Sequence, residues 1–249
     1  MITKEDILKL VSRYVEEQKQ NKKWVPGQDW IQYSGPYFDS KEYTAAIESL
    51  LNGWFILAEK GRQFEQKFAP LLGKKDGILV NSGSSANLLM VSLLKTKRGG
   101  KLPKGSKFIT PVVCFPTTIN PLIQNGFEPI FVDVTLPSLN LDLDQVEKIL
   151  ENDINKEIKG IIFAHVLGNP PDMDRLMEIV KKYKLIYLED TCDALGSTYN
   201  DKPLGEFGEF SSFSFYPAHH MTMGEGGFVA TSDSNQEVIL RSLREWGRG

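Results

Sequence analysis

From Gly77 to Asp190 the chain alternates short apolar runs with stretches of helical periodicity. The runs Gly77–Val80, Lys107–Thr110, Pro129–Val134, Gly160–Val166 and Leu185–Asp190 are too short for helices and rich in Ile, Val, Leu and Phe, so each reads as a strand. Most are followed by an amphipathic segment. That order predicts an α/β fold in which helices cover both faces of a mostly parallel sheet, because a parallel crossover needs a dozen or more residues and buries its strands on both sides. Phe210–Tyr216 and Gly227–Thr231 read as two further strands, which gives a seven-stranded sheet.

Before the sheet, Ile7, Leu8, Leu10, Val11, Tyr14 and Val15 form one stripe of a helix expected over Thr3–Asn21. Residues 23–39 are punctuated by Pro and Gly and read as an extended arm. Asp39 or Ser40 is placed to cap a helix running to Gly53, and further helical patterns span Arg62–Leu72 and Asn235–Trp246. Residues 1–40 are therefore expected as an N-terminal helix and arm, and 41–249 as one large α/β domain. A net charge of −3 gives no electrostatic reason for a nucleic-acid or anionic-membrane partner. No apolar run approaches the ~20 residues of a bilayer span, and the charged N-terminus lacks the apolar core of a signal peptide, so the cytoplasm is expected. Cys114 and Cys192 are too few for a disulfide framework, have no metal-ligand spacing, and leave no metal site expected.

Three segments carry chemistry. The strand at Gly77–Val80 runs into Asn81-Ser82-Gly83-Ser84-Ser85-Ala86-Asn87 and then a helix, which delivers small residues to a helix N-terminus, a natural anion site. It lacks the Gly-Lys-Ser/Thr ending of a nucleotide P-loop and fits a single phosphate; the plain alternative is a capped helix. The Leu185–Asp190 strand ends in two carboxylates, where α/β sheets collect ligands, and Asp190 is suited to pair with a protonated ring nitrogen or, more simply, to cap a helix. Cys192 beside it reads as a packing residue. After the Phe210–Tyr216 strand come His219 and His220, then a glycine-rich turn. Histidine suits general acid–base work, and one of an adjacent pair is expected to carry it. His165, at another strand end, is expected at most to line the pocket.

Taken in this order, the segments resemble the fold-type-I, PLP-dependent (DegT-type) sugar aminotransferase family. The resemblance implies that Gly83, Ser84 and Ser85 hold a cofactor phosphate with help from Ser214, that Phe115 stacks on the pyridine ring, and that Asp190 meets the ring nitrogen. Aminotransferases of this family tether the cofactor through a lysine five positions after the serine; here Ser214-Phe215-Tyr216-Pro217-Ala218 leads to His219. Histidine cannot form that link but can move a proton. This departure, with the Pro/Gly-rich arm upstream, resembles the family's sugar-nucleotide 3-dehydratases, and among them those acting on CDP-4-keto-6-deoxyglucose in dideoxysugar and lipopolysaccharide O-antigen biosynthesis.

The resemblance then implies pyridoxamine 5′-phosphate or pyridoxal 5′-phosphate as cofactor, His219 as the catalytic base that returns its proton to the departing 3-hydroxyl, and Asp193 and Tyr216 as residues steering the product toward reduction. It further implies a homodimer, a nucleotide-sugar substrate and an NADH-dependent iron–sulfur flavin reductase as partner. The resembled enzymes continue into an iron–sulfur centre and a small C-terminal domain. That domain is not in this sequence, so the iron–sulfur cluster is expected only beyond it. Remaining alternatives are a nucleotide-sugar aminotransferase, a GDP-sugar 3-dehydratase and a non-catalytic fragment.

Overall fold

The computed structural model describes residues 1–21, 24–32, 34–53 and 55–248. Lys23 and Tyr33, within the expected arm, lie outside the described residues, as does Gly249. Contacts group the chain into two compact units, residues 1–62 and 63–249, so the first unit extends past the expected boundary at 40. It does so because the second helix packs on the first.

The first unit holds α1 (Lys4–Asn21) and α2 (Ser40–Leu51). Asp39 starts α2 with a capping box: its carboxylate accepts from the Lys41 amide at 2.7 Å, and Glu42 accepts from the Asp39 amide at 2.6 Å. Inside this unit Lys4 and Lys60 both reach Glu48 at 3.3 Å.

α3 (Glu59–Leu71) leads into the second unit. There β1 (Asp76–Val80), α4 (Gly83–Leu93), β2 (Lys107–Pro111), α5 (Pro116–Gln124) and β3 (Glu128–Val132) follow one another. A small hairpin, β4 (Val134–Thr135) and β5 (Asn140–Leu141), precedes α6 (Leu143–Glu151), β6 (Ile158–Ala164), α7 (Met173–Tyr183) and β7 (Ile186–Asp190). A second hairpin, β8 (Thr198–Tyr199) and β9 (Lys202–Pro203), is followed by β10 (Phe210–Ser214), β11 (Gly227–Thr231) and α8 (Ser234–Arg244). The apolar run at 129–134 thus divides, with Val134 leaving the sheet for a hairpin.

Seven strands form the main sheet in the order β1-β11-β10-β7-β6-β2-β3. β3, β2, β6, β7 and β10 are parallel, and only β11 runs against its neighbours β10 and β1. On one face Ile78, Phe108 and Phe210 pack with Met90 and Leu94 from α4 and its end, Leu122 of α5 and Leu240 of α8. On the other, Ile161, Phe163 and Tyr187 pack with Val146 of α6 and Leu176 and Ile179 of α7. Each such fully buried large side chain contributes about 1.5–3 kcal/mol. Phe68 of α3 meets Phe213, Phe215 and Phe228 edge-on at 5.0–5.6 Å. This aromatic cluster fixes β10, and so the start of the histidine loop.

The register then decides which groups meet. Asp190 lies opposite Ser212 and Ala164, while Ser214 and Val80 both lie opposite Gly227. The carboxyl ends of β1, β2, β7 and β10 therefore open on one edge of the sheet, where α/β proteins bind ligands.

Candidate active site

The anion cradle lies at the start of α4. Ser82 caps the helix, its hydroxyl accepting from the Ser85 amide at 3.1 Å. Ser85 is thereby drawn into the cap. Among the described residues the Gly83 and Ser84 amides have no hydrogen-bond partner, which leaves them to an anion. The Ser84 hydroxyl is anchored to Thr117 Oγ1 at 3.0 Å. Gly83 is needed by the protein itself: a Cβ there would sit 2.6 Å from Ser214 Cβ and 2.8 Å from Cys192 Sγ. Gly227 is equally constrained, since its Cβ would lie 2.2 Å from the Ser82 carbonyl oxygen. These two close approaches put the Ser214 hydroxyl beside the cradle. Ser214 Oγ also accepts from the Tyr216 amide at 3.3 Å.

Asp190, only 3% exposed, has its carboxylate oriented by donors from three elements. Its Oδ2 accepts from Asn87 Nδ2 at 2.8 Å and Thr118 Oγ1 at 2.7 Å, and its Oδ1 from the Cys192 amide at 3.2 Å. Among the described residues no Lys, Arg or His forms an ion pair with it. A buried carboxylate so placed is ready for a cationic ligand. Phe115, 65% exposed, immediately precedes α5, whose Thr117 and Thr118 tie that helix to the cradle and to Asp190. An anion cradle, an exposed aromatic ring and an uncompensated buried acid are the groups that a phosphorylated pyridinium requires, and the residues fit it.

His219 Nδ1 lies 3.3 Å from Asp193 Oδ1. The pair is half-buried, and the hydrogen bond from His219 holds the Asp193 carboxyl below its ordinary range. With Nδ1 engaged by Asp193, Nε2 is the ring nitrogen left without a partner among the described residues. Tyr216 accepts from the His219 amide at 3.0 Å through its carbonyl and leaves its own ring partly exposed. His220 is exposed, and Asp193 binds its neighbour instead.

His165 corrects an expectation. Its ring is fully buried on the opposite face of the sheet from the Asp190 carboxylate, 3.2 Å from Glu189 Oε2, so it does not line the pocket with Asp190. Side chains alternate along a strand, and His165 follows the Ala164 that lies opposite Asp190. Cys192 behaves as a packing residue: burial first, then the Asp190 charge, pushes its thiol well up. Sequence reasoning missed Asn87, Thr117, Thr118 and Ser212. Among the described residues no cluster of His, Cys, Asp or Glu forms a metal site, and no helix is long and apolar enough to cross a membrane.

Residues 36–249 match the model of the DegT/DnrJ/EryC1/StrS aminotransferase family. The chain belongs to this family. Relatives in it include the lipopolysaccharide biosynthesis protein RfbH of Salmonella typhimurium, 40% identical over 98% of this chain and 56% of that protein. The dTDP-4-dehydro-2,6-dideoxy-D-glucose 3-dehydratase of Saccharopolyspora spinosa is 42% identical over 98% of this chain and 52% of that protein. Among solved structures, the E. coli GDP-4-keto-6-deoxy-D-mannose-3-dehydratase with bound hydrated PLP superposes with a TM-score of 0.79 at 35% identity, covering 87% of this chain and 55% of that one. The chain thus spans about half the length of the family members it matches.

Proposed function

We propose that these residues form the cofactor-binding half of a vitamin B6-dependent sugar-nucleotide 3-dehydratase. The observation that carries this reading is His219, paired with Asp193, at the position where a tethering lysine would make an aminotransferase. Relatives named as 3-dehydratases support it.

Gly83, Ser84 and Ser214 would bind the cofactor phosphate, with Ser85 shaping the cradle through the α4 cap. Phe115 would stack on the ring and Asp190 would pair with the ring nitrogen. When bound, pyridoxamine 5′-phosphate supplies an amine for the sugar's 4-keto carbon and a pyridinium ring that takes up electrons. Asp193 would hold His219 so that Nε2 could take a proton at the cofactor's aminomethyl carbon. His219 then gives that proton to the 3-hydroxyl as it leaves, so water departs and the histidine is restored. Tyr216, beside His219, would line the substrate side of the loop.

The substrate class is a nucleotide-linked 4-keto-6-deoxyhexose, with the CDP sugar the specific proposal. Reduction of the product falls to an NADH-dependent iron–sulfur flavin reductase, through an iron–sulfur cluster held outside this chain. A cytoplasmic homodimer with residues 41–249 as the cofactor domain completes the reading.

The test is made on the full-length protein. Borohydride treatment after loading with pyridoxal 5′-phosphate, followed by peptide mapping, should yield no cofactor–lysine adduct. His219→Asn should retain cofactor and lose dehydration of the CDP sugar by about 10²–10⁴-fold. A specific lysine adduct, or full activity in the variant, would overturn the histidine assignment.

A further inference from the structure

The Asp190 carboxylate is oriented by a relay that no part of the proposed reaction uses directly. Ser212 on β10 donates its hydroxyl to Asn87 Oδ1 at 2.6 Å. With its oxygen so occupied, the Asn87 amide can present only its NH₂ group to the other side, where Nδ2 donates to Asp190 Oδ2 at 2.8 Å. Thr118 fills the second site on the same oxygen at 2.7 Å. All three residues are at most 1% exposed. Bulk solvent does not reach them, and the carboxylate torsion is set by these protein donors. Asn87 and Thr118 both donate to Oδ2, while Oδ1 accepts the Cys192 amide at 3.2 Å, so the lone pair left for a ligand is on Oδ1.

We infer that Asn87, Thr118 and Ser212 are positioning residues that present Asp190 Oδ1 to a cationic ring nitrogen. Ser212 locks the orientation of the Asn87 amide, and Asn87 with Thr118 locks the carboxylate. The inference rests on the cofactor reading above and adds to it the residues that set ring-nitrogen recognition.

Two probes separate positioning from mere packing: pyridoxal 5′-phosphate and its analogue with carbon in place of the ring nitrogen. Both keep the phosphate, so a generally disturbed site loses affinity for both alike. In the full-length protein, Asn87→Leu keeps side-chain volume and removes the donor. Its preference for pyridoxal phosphate over the analogue should fall about tenfold, the scale of one hydrogen bond to a charged group. Ser212→Ala should reduce that preference less, and Ser212→Thr, which keeps the hydroxyl, should restore it. In an Asp190→Asn background, Asn87→Leu should change the preference no further. An unchanged preference in both Asn87→Leu and Ser212→Ala overturns the inference while leaving the cofactor reading intact. Failure of the parent protein to bind pyridoxal phosphate overturns both. If Asn87→Leu does not fold, Ser212→Ala against Ser212→Thr decides.

Discussion

Glu189 and Asp190 are neighbours on one strand, equally out of reach of water, and they serve opposite ends. The pleat sends Glu189 to the face covered by α6 and α7 and Asp190 to the face covered by α4 and α5. Glu189 is consumed by the fold. Its Oε2 accepts from the Gly205 amide at 2.8 Å and lies 3.2 Å from His165, and its Oε1 accepts from the Gly208 amide. Its charge also opposes the depression of the Lys74 pKa, which burial brings about. Asp190 binds one backbone amide and is otherwise held by side chains. A carboxylate spent on backbone amides stabilises a turn, whereas Asp190, with Asn87 and Thr118 on one oxygen and a single amide on the other, keeps a lone pair of that other oxygen for a ligand.

The largest effect falls at Glu189. Glu189→Ala would orphan the Gly205 and Gly208 amides and remove the countercharge near buried Lys74, whose ammonium donates to the Glu206 carbonyl at 2.9 Å and to the Gly208 carbonyl. Removing one side of such a buried charged network costs about 3–5 kcal/mol, to be read by urea denaturation. A loss below 1 kcal/mol would mean that the turn does not depend on this carboxylate.

Asp190→Asn should invert the pattern. The amide oxygen can still accept from Thr118 and Asn87, so stability should fall by only about 1 kcal/mol. Affinity for pyridoxal 5′-phosphate, followed by fluorescence quenching in the full-length protein, should fall at least about tenfold, because a charge-assisted bond becomes a neutral one. Equal damage to stability and affinity would erase the distinction between the two carboxylates.

How much of this was legible in the sequence differs between the two faces. The main-sheet strands were marked by apolar runs, and Gly83, Asp190 and His219 stood at or just after strand ends where the residue pattern points to them, whereas Ser214 was marked only by the family resemblance. Asn87, Thr118 and Ser212 carry no such mark. Asn87 meets Asp190 from 103 residues away, Thr118 from 72, and Ser212 meets Asn87 from 125. Only the sheet order and register bring these single polar residues together. Glu189 was visible as one of two carboxylates, but its role required knowing that the Gly205–Gly208 turn returns beneath it. His165 was misread for the same reason, since the face a residue occupies follows from register, not from its place at a strand end.

The smallest effect acts through the Asp190 charge on the two thiols. Burial raises the Cys192 thiol most, and Asp190 adds its negative charge and a hydrogen bond; Cys114 is raised by burial and then by the same charge. Glu189 is not among the groups acting on either thiol. Removing a negative neighbour makes a thiolate easier to form, so Asp190→Asn should increase the thiolate fraction at pH 8 and speed alkylation by iodoacetamide. The gain should be only a few-fold: burial remains the larger cause, and a thiolate of lower pKa is also a weaker nucleophile. Cys192 should gain more than Cys114, because it also loses the hydrogen bond. Glu189→Gln, assayed well below its unfolding transition, should leave both rates unchanged, since the strand carries that charge to the other face. Peptide-resolved labelling rates check this, and equal acceleration by the two substitutions would show that the sheet does not separate the two charges.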